Sequence, residues 1–477
     1  MRILFLDPPT GGGRVPERVF GCTYGHYPIP NIFLLTAAAV LEGRGHEVRY
    51  IDAPSAGLTE SDIQAHLREN PYQAYVLYSV NLSRELDAEV RRKLREVSPE
   101  SVIVSIGPAP TYYTNEFLDD GRSFAIRGEP DLALADLLED PDHPEKVPGA
   151  SYLRAGGPTH VPAELIVDLD FLPHPARHLL DRGLYYNPKF RSSGGRGAYT
   201  AVLTSRGCPY QCVYCVPNSL SFSREIECRR AKGTKPPWRA RSASDVLEEL
   251  RELSEDGYAR ISFIDDEFTI DKQRVMEICR GLSGLGMVWG CLSRPDSVDD
   301  QLAREMAAAG CSYVDVGVES LDQEVLDDIN KNIEVEEIHQ GIACLKRAGI
   351  RAKLNILLGS SPLETLDSLR HTVDEAIRMR PDSIMFGICN PFPGTVSYQT
   401  ALERSYFVKG DYYPVDVQRE STVCLPHLSK QTLEREVRRA NRKFFLSPRF
   451  ILRNLGRISS PSYLIRGIKA MWKKLAP

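Results

Sequence analysis

Three cysteines, Cys208, Cys212 and Cys215, stand in the string RGCPYQCVYC with the spacing CxxxCxxC. Thiolates are the ordinary ligands of iron–sulfur clusters, and three of them leave one iron of a four-iron cube without a protein ligand. An open coordination position is where a substrate can meet a metal, as catalytic zinc sites illustrate. The competing reading is a zinc knuckle or a chance grouping of thiols. Zinc asks for a fourth Cys or His, and the nearest, Cys228, lies in the charged stretch SREIECRRAKG with no partner at a zinc-like spacing. The eleven cysteines of the 477-residue chain are otherwise scattered, and the start MRILFLDPPT has no export pattern. Reduced thiols and a cytoplasmic protein are therefore expected. Cys279, Cys311 and Cys344, in apolar surroundings, read as small buried hydrophobes.

The cysteines follow an apolar run at 199–204, the first of six strand-like runs separated by helical stretches. The others are 261–264, 288–292, 313–318, 353–358 and 383–388. Six strand–helix units suit a partial barrel of the βα type, with its chemistry on the loops at the carboxyl ends of the strands. Upstream, apolar runs at 3–6, 47–51, 74–79 and 101–106, and a short one ending at Ile126, alternate with helical stretches at 32–42, 61–68 and 84–96. That pattern implies a parallel sheet covered on both faces, with a ligand crevice at the carboxyl ends of its strands. The fold class is thus α/β: a doubly wound, Rossmann-like domain over 1–140, a linker rich in Pro, His and Gly over 141–196, a partial (βα)6 barrel over 197–410, and a basic helical region over 411–477.

A net charge of -5 with 26% charged and 42% hydrophobic residues describes an ordinary globular chain, and no nucleic-acid partner follows from it. The last fifty residues differ. Between Leu428 and Pro477 there are thirteen Lys or Arg against Glu434 and Glu436, interleaved with Phe444, Phe445, Phe450, Leu452, Leu455 and Trp472. Such a segment either caps the barrel with a solvated basic face, the expectation favoured here, or lies peripherally on an anionic membrane.

The cysteine motif, with an aromatic residue before its third cysteine and six βα units around it, resembles the radical S-adenosylmethionine (SAM) superfamily. The resemblance implies a 4Fe-4S cluster on Cys208, Cys212 and Cys215, SAM chelated at the open iron, and Tyr214 near the adenine. It also implies that segments at successive strand ends face SAM. These are FIDDEF with Asp265, Asp266 and Glu267, LSRPD with Arg294, GVES with Glu319 and Ser320, and Lys331 in INKN. Alone, each is more often a helix cap or a surface charge; their order along the chain is what makes them informative.

A doubly wound domain ahead of such a barrel resembles the cobalamin-binding radical SAM enzymes, the group of the anaerobic ring cyclase, hopanoid-modifying proteins and carbon methylases. The similarity rests on LDPP, YSVNL, IGPAPT and RGEPD, and it implies Ser79, Gly107, Gly128 and Glu129 as cobalamin contacts. The chain lacks DxHxxG, and GPAP stands where relatives often read GGPH. Cobalamin would then be held without a lower histidine, against small or apolar residues of 78–82 and 107–111; the alternative is a domain that keeps the fold without the cofactor.

The expected function is reductive cleavage of SAM and functionalisation of an unactivated carbon, first of all by cobalamin-dependent methylation. The alternatives are a radical cyclase, C–C bond former or oxygen-inserting enzyme, and, from another class, a non-catalytic iron–sulfur sensor. Expected partners are a small-molecule substrate of hydrophobic or lipid-like character and an electron donor such as flavodoxin or ferredoxin.

Overall fold

The structure, a computed structural model, describes residues 1–10, 14–25, 27–190 and 197–455. Five parallel strands, β1 (Arg2–Asp7), β2 (Glu47–Asp52), β3 (Ala74–Tyr78), β4 (Val102–Ile106) and β5 (Ser123–Ile126), lie in the order β2-β1-β3-β4-β5. Every residue of β3, β4 and β5 is buried, because alternate side chains enter two different cores. Ile3, Phe5, Val76 and Val104 pack with the helix Ile32–Gly43. Leu4, Leu6, Leu77 and Ile103 pack with Ile63, Leu67 and Leu94 of the helices Glu60–Glu69 and Arg84–Val97. This is the doubly wound arrangement expected for the first domain.

The stretch 141–196, expected as a linker, instead extends this sheet. β6 (Ala150–Arg154) pairs antiparallel with β5, and β7 (Gly157–His160) with β6. Both are short, and the edge strand β7, with Pro158 and alternating half-buried residues, offers too little apolar periodicity to stand out among prolines. Beyond it the chain runs as a strap whose Tyr185 and Phe190 pack against Tyr199 and Tyr313 of the second domain. Residues 191–196 lie outside the described residues.

The second domain opens with β8 (Ala198–Val202), followed by a small antiparallel pair, β9 (Ser205–Arg206) and β10 (Arg239–Ala240), which brackets the cysteine loop and the helix Ser219–Lys232. β11 (Tyr258–Phe263), β12 (Val288–Ser293), β13 (Cys311–Glu319), β14 (Arg351–Leu358) and β15 (Ser383–Ile388) complete a parallel sheet in the order β8-β11-β12-β13-β14-β15. The sheet is open between β8 and β15, the partial six-unit barrel expected.

The helix Lys430–Phe445, capped by the Ser429 side chain, packs on the barrel through Leu433, Val437, Ala440, Phe444 and Phe445. Phe444 and Phe445, two of the aromatics counted toward a membrane-facing side, are thus spent on the barrel core. Residues 456–477, with Trp472, lie outside the described residues. Among the described residues no helix is long and apolar enough to cross a membrane.

Candidate functional site

All three cysteines lie on the loop joining β9 to the helix Ser219–Lys232, and all three border one cavity. The loop leaves β9 at Gly207, whose φ of +88° suits glycine, and a Cβ there would stand 2.5 Å from Arg224 Nη2. Asp266, just past β11, accepts hydrogen bonds from Gly207 N at 3.1 Å and Asn218 N at 2.7 Å. One carboxylate therefore ties together the two ends of the cysteine loop. Its burial raises it to about 6, against the bonds it accepts. Burial also pushes the Cys208 thiol up to about 12 and raises Cys215, so a metal must displace protons to bind here. Among the described residues no three His, Cys, Asp or Glu side chains stand close enough to share a single metal ion. A cube that gives each thiolate its own iron asks for a wider triangle, and three thiols on one wall with no fourth ligand suit it chemically.

The cavity, about 270 Å³, sits at the carboxyl ends of the barrel strands. Tyr214, Asp265, Asp266, Glu267, Arg294, Glu319 and Lys331 border it. Their bonds separate their roles. Asp265 accepts from Thr204 N at 3.1 Å, Thr204 Oγ1 at 2.8 Å and Ser205 Oγ at 2.5 Å, tying the end of β8 to that of β11. Glu267, raised to about 7 by burial, accepts from Thr269 N at 3.0 Å and from Arg294 N. Arg294 grips Asp296 through Nε at 2.9 Å and Nη2 at 2.8 Å and lies over the Tyr210 ring at 3.8 Å. Its Nη1 is buried without a hydrogen-bond partner, a guanidinium edge left for a carboxylate. Glu319 sits at φ +67° where β13 shifts register, a strained position for a side chain, and pairs with Lys331 at 3.3 Å.

Ser320 does not border the cavity; it is fully buried, its hydroxyl 3.2 Å from Thr372 Oγ1 and accepting from Asp322 N at 3.2 Å. Residues that sequence reasoning missed include Phe20, Cys22 and Thr23, brought over the barrel mouth from the first domain. Asp315 and Asn355, inside the barrel, were missed as well, and Asn355 Oδ1 has no partner. Only strand pairing across the barrel brings these to the cavity, and nothing in their local sequence signals it.

The first-domain residues stand elsewhere. Gly107, at φ +108°, makes room for its own chain, since a Cβ there would meet Ser79 O at 2.6 Å. Gly128 lies against Glu227 of the helix Ser219–Lys232. Glu129 faces three arginines of the second domain: Arg206 at 3.2 Å, Arg224 at 3.1 Å and Arg239. Burial alone would raise its carboxyl; the guanidiniums hold it down at about 2. Gly107, Gly128 and Glu129 therefore serve close packing and the domain junction, because the helix Ser219–Lys232 lies over the strand ends they occupy. Ser79 Oγ and Asn81 Oδ1 are buried there without partners. The unpartnered polar groups at these strand ends suit a ligand.

Residues 202–376 match the model of the radical SAM superfamily. The chain is 28% identical over 468 residues, 95% of each chain, to an uncharacterized methyltransferase of Pyrococcus horikoshii. It is 25% identical over 419 residues to the anaerobic magnesium-protoporphyrin IX monomethyl ester cyclase of Synechocystis, covering 85% of this chain and 78% of that one. Among solved structures it resembles the radical SAM methyltransferase TsrM of Kitasatospora setae, determined with cobalamin and a [4Fe-4S] cluster bound. That match has a TM-score of 0.65 and 18% identity, over 84% of this chain and 74% of that one. At that identity the likeness speaks for the fold.

Proposed function

We propose, from the premise that this chain is an enzyme of the radical SAM superfamily, that it binds a 4Fe-4S cluster through Cys208, Cys212 and Cys215 and methylates an unactivated carbon of a small molecule. The observation that carries the proposal is the meeting of three thiols, the unpartnered Arg294 edge and the Glu319–Lys331 pair on one cavity at the strand ends. When bound, the cluster supplies the electron that splits the SAM sulfonium. Arg294 Nη1 offers a donor to the methionine carboxylate and Glu267 an acceptor to its ammonium, while Lys331 and Glu319 suit ribose and charge. Phe20, Cys22 and Thr23, which border the cavity from the first domain, limit the water that reaches these groups.

Methyl transfer is favoured over cyclisation by the full-length similarity to a named methyltransferase. Cobalamin belongs to the proposal because TsrM is solved with it and because Ser79 and Asn81 keep unpartnered polar atoms at the strand ends.

Anaerobic reconstitution with iron, sulfide and cobalamin quantified together tests the cofactors. Dithionite and SAM should then yield 5′-deoxyadenosine, and alanine at any of the three cysteines should abolish both iron retention and that product. A chain that holds its cluster yet never releases 5′-deoxyadenosine is a sensor instead. Label from the SAM methyl group should appear in the product; a modified but unlabelled product returns the cyclase reading, which the similarity to the protoporphyrin cyclase keeps in view. The electron donor is proposed to be a flavodoxin or ferredoxin, and the substrate hydrophobic.

A further inference from the structure

Lys235 lies between the helix Ser219–Lys232 and β10, at the end of the charged stretch that the zinc reading left without a role. Its ammonium donates to the carbonyl of Tyr210, between Cys208 and Cys212, at 3.0 Å. It also pairs with Glu225 at 3.0 Å, and both side chains are only 4% exposed. Lys235 does not border the cavity, so it meets the cysteine loop from outside it. The ammonium thus stands against the backbone between two of the three cysteines. Arg294 and Lys331, on the cavity side, are each paired with a carboxylate, as Lys235 is.

We propose that Lys235 supplies a buried positive charge against the loop of the three cysteines that favours the reduced state of the cluster they hold. The inference rests on the reading of those cysteines as cluster ligands. Reduction adds one negative charge to a cluster, and potentials of such clusters follow net charge and solvent exposure. A cation held out of water acts across a low dielectric and is little screened. Lys235 is in this sense a positioning residue that acts through the cluster and touches no substrate. A merely structural lysine would pin the loop through Tyr210 and leave the potential where it was.

The test is an EPR-monitored redox titration of the reconstituted full-length chain without SAM or substrate, with iron and sulfide counted per chain. Lys235→Met is expected to move the midpoint to more negative potential at full iron content, and Lys235→Arg to stay near the parent. Glu225→Gln, which removes the counter-charge and keeps the ammonium, is expected to move it the opposite way. An unmoved midpoint in Lys235→Met, or an equal shift in Lys235→Arg, overturns the proposal. Should Lys235→Met fail to retain iron, Glu225→Gln decides: an upward move supports the proposal, and an unmoved or downward one overturns it. A parent chain without iron and sulfide sinks the cluster reading itself, a result read before any midpoint is measured.

Discussion

Asp266 was expected to face SAM, and its bonds assign it a second task. By accepting from Gly207 N and Asn218 N it closes the cysteine loop as a clasp. Asparagine keeps one acceptor oxygen and turns the other position into a donor, leaving one buried N–H unsatisfied at a cost of about 1–3 kcal/mol. Asp266→Asn should therefore lower iron per chain after reconstitution while far-ultraviolet circular dichroism stays unchanged; full iron retention would remove the clasp. Arg294 carries the opposite kind of signal, a buried nitrogen without a partner. Arg294→Leu should weaken SAM binding by roughly ten- to a hundredfold, the worth of one hydrogen bond to a charged group. Calorimetric titration of reconstituted protein checks it, and an unchanged affinity would place the SAM carboxylate elsewhere. The acidic string at 265–267 announced polar chemistry in the sequence, but which carboxylate clasps, which props β8 and which meets ligand depends on partners tens of residues away.

At the scale of elements, the helix Ser219–Lys232 does two jobs. It follows the cysteine loop, and it lies on the strand ends of the first sheet, where Tyr78 Oη meets Ser219 Oγ at 2.8 Å. Around it a buried ion network joins the domains: Asp131 takes Arg206 at 2.8 and 3.1 Å, Glu227 takes Arg127 at 2.6 Å, and Glu129 meets three arginines. Breaking such a network from one side strands buried charge, so Glu129→Gln should destabilise the chain by about 3–5 kcal/mol at neutral pH. The sign of its pH dependence follows from the depressed carboxyl. Unfolded, Glu129 binds a proton near 4.5; folded, near 2. Its contribution is complete above about 4.5 and is lost as pH falls toward 2. The stability gap between parent and variant, from urea unfolding at several pH values, should therefore narrow across that window; a gap constant down to pH 2 would refute the assignment. The hairpin β6–β7 belongs to this scale too. Its prolines and short strands masked it in the sequence, and pairing to β5 alone makes it sheet.

For the whole molecule, the C-terminal basic helix is docked, its aromatics buried in the barrel and its Arg435, Arg438, Arg439, Arg442 and Lys443 gathered on one side. A surface of that kind binds anionic lipid by charge, and charge is screened within about 10 Å at 0.1 M salt. Truncation after residue 455 should thus leave at most a weak association with phosphatidylserine vesicles that vanishes at high salt; binding that survives would show that the apolar residues exposed beyond that helix, Leu446, Ile451 and Leu452, reach the lipid. The sequence by itself determined the main alternation of strands and helices and the spacing of the cysteine triad, because hydrophobic period and ligand spacing are local and survive without a fold. The partial barrel and the doubly wound domain were legible for that reason. Only the tertiary structure decided that Glu129 serves the domain junction, that Ser320 turns away from the cavity, that Phe20 and Cys22 border it, and that Lys235 stands against the cysteine loop. Each depends on which distant element packs against which strand end, and a buried charge takes its role from the partner that folding sets beside it.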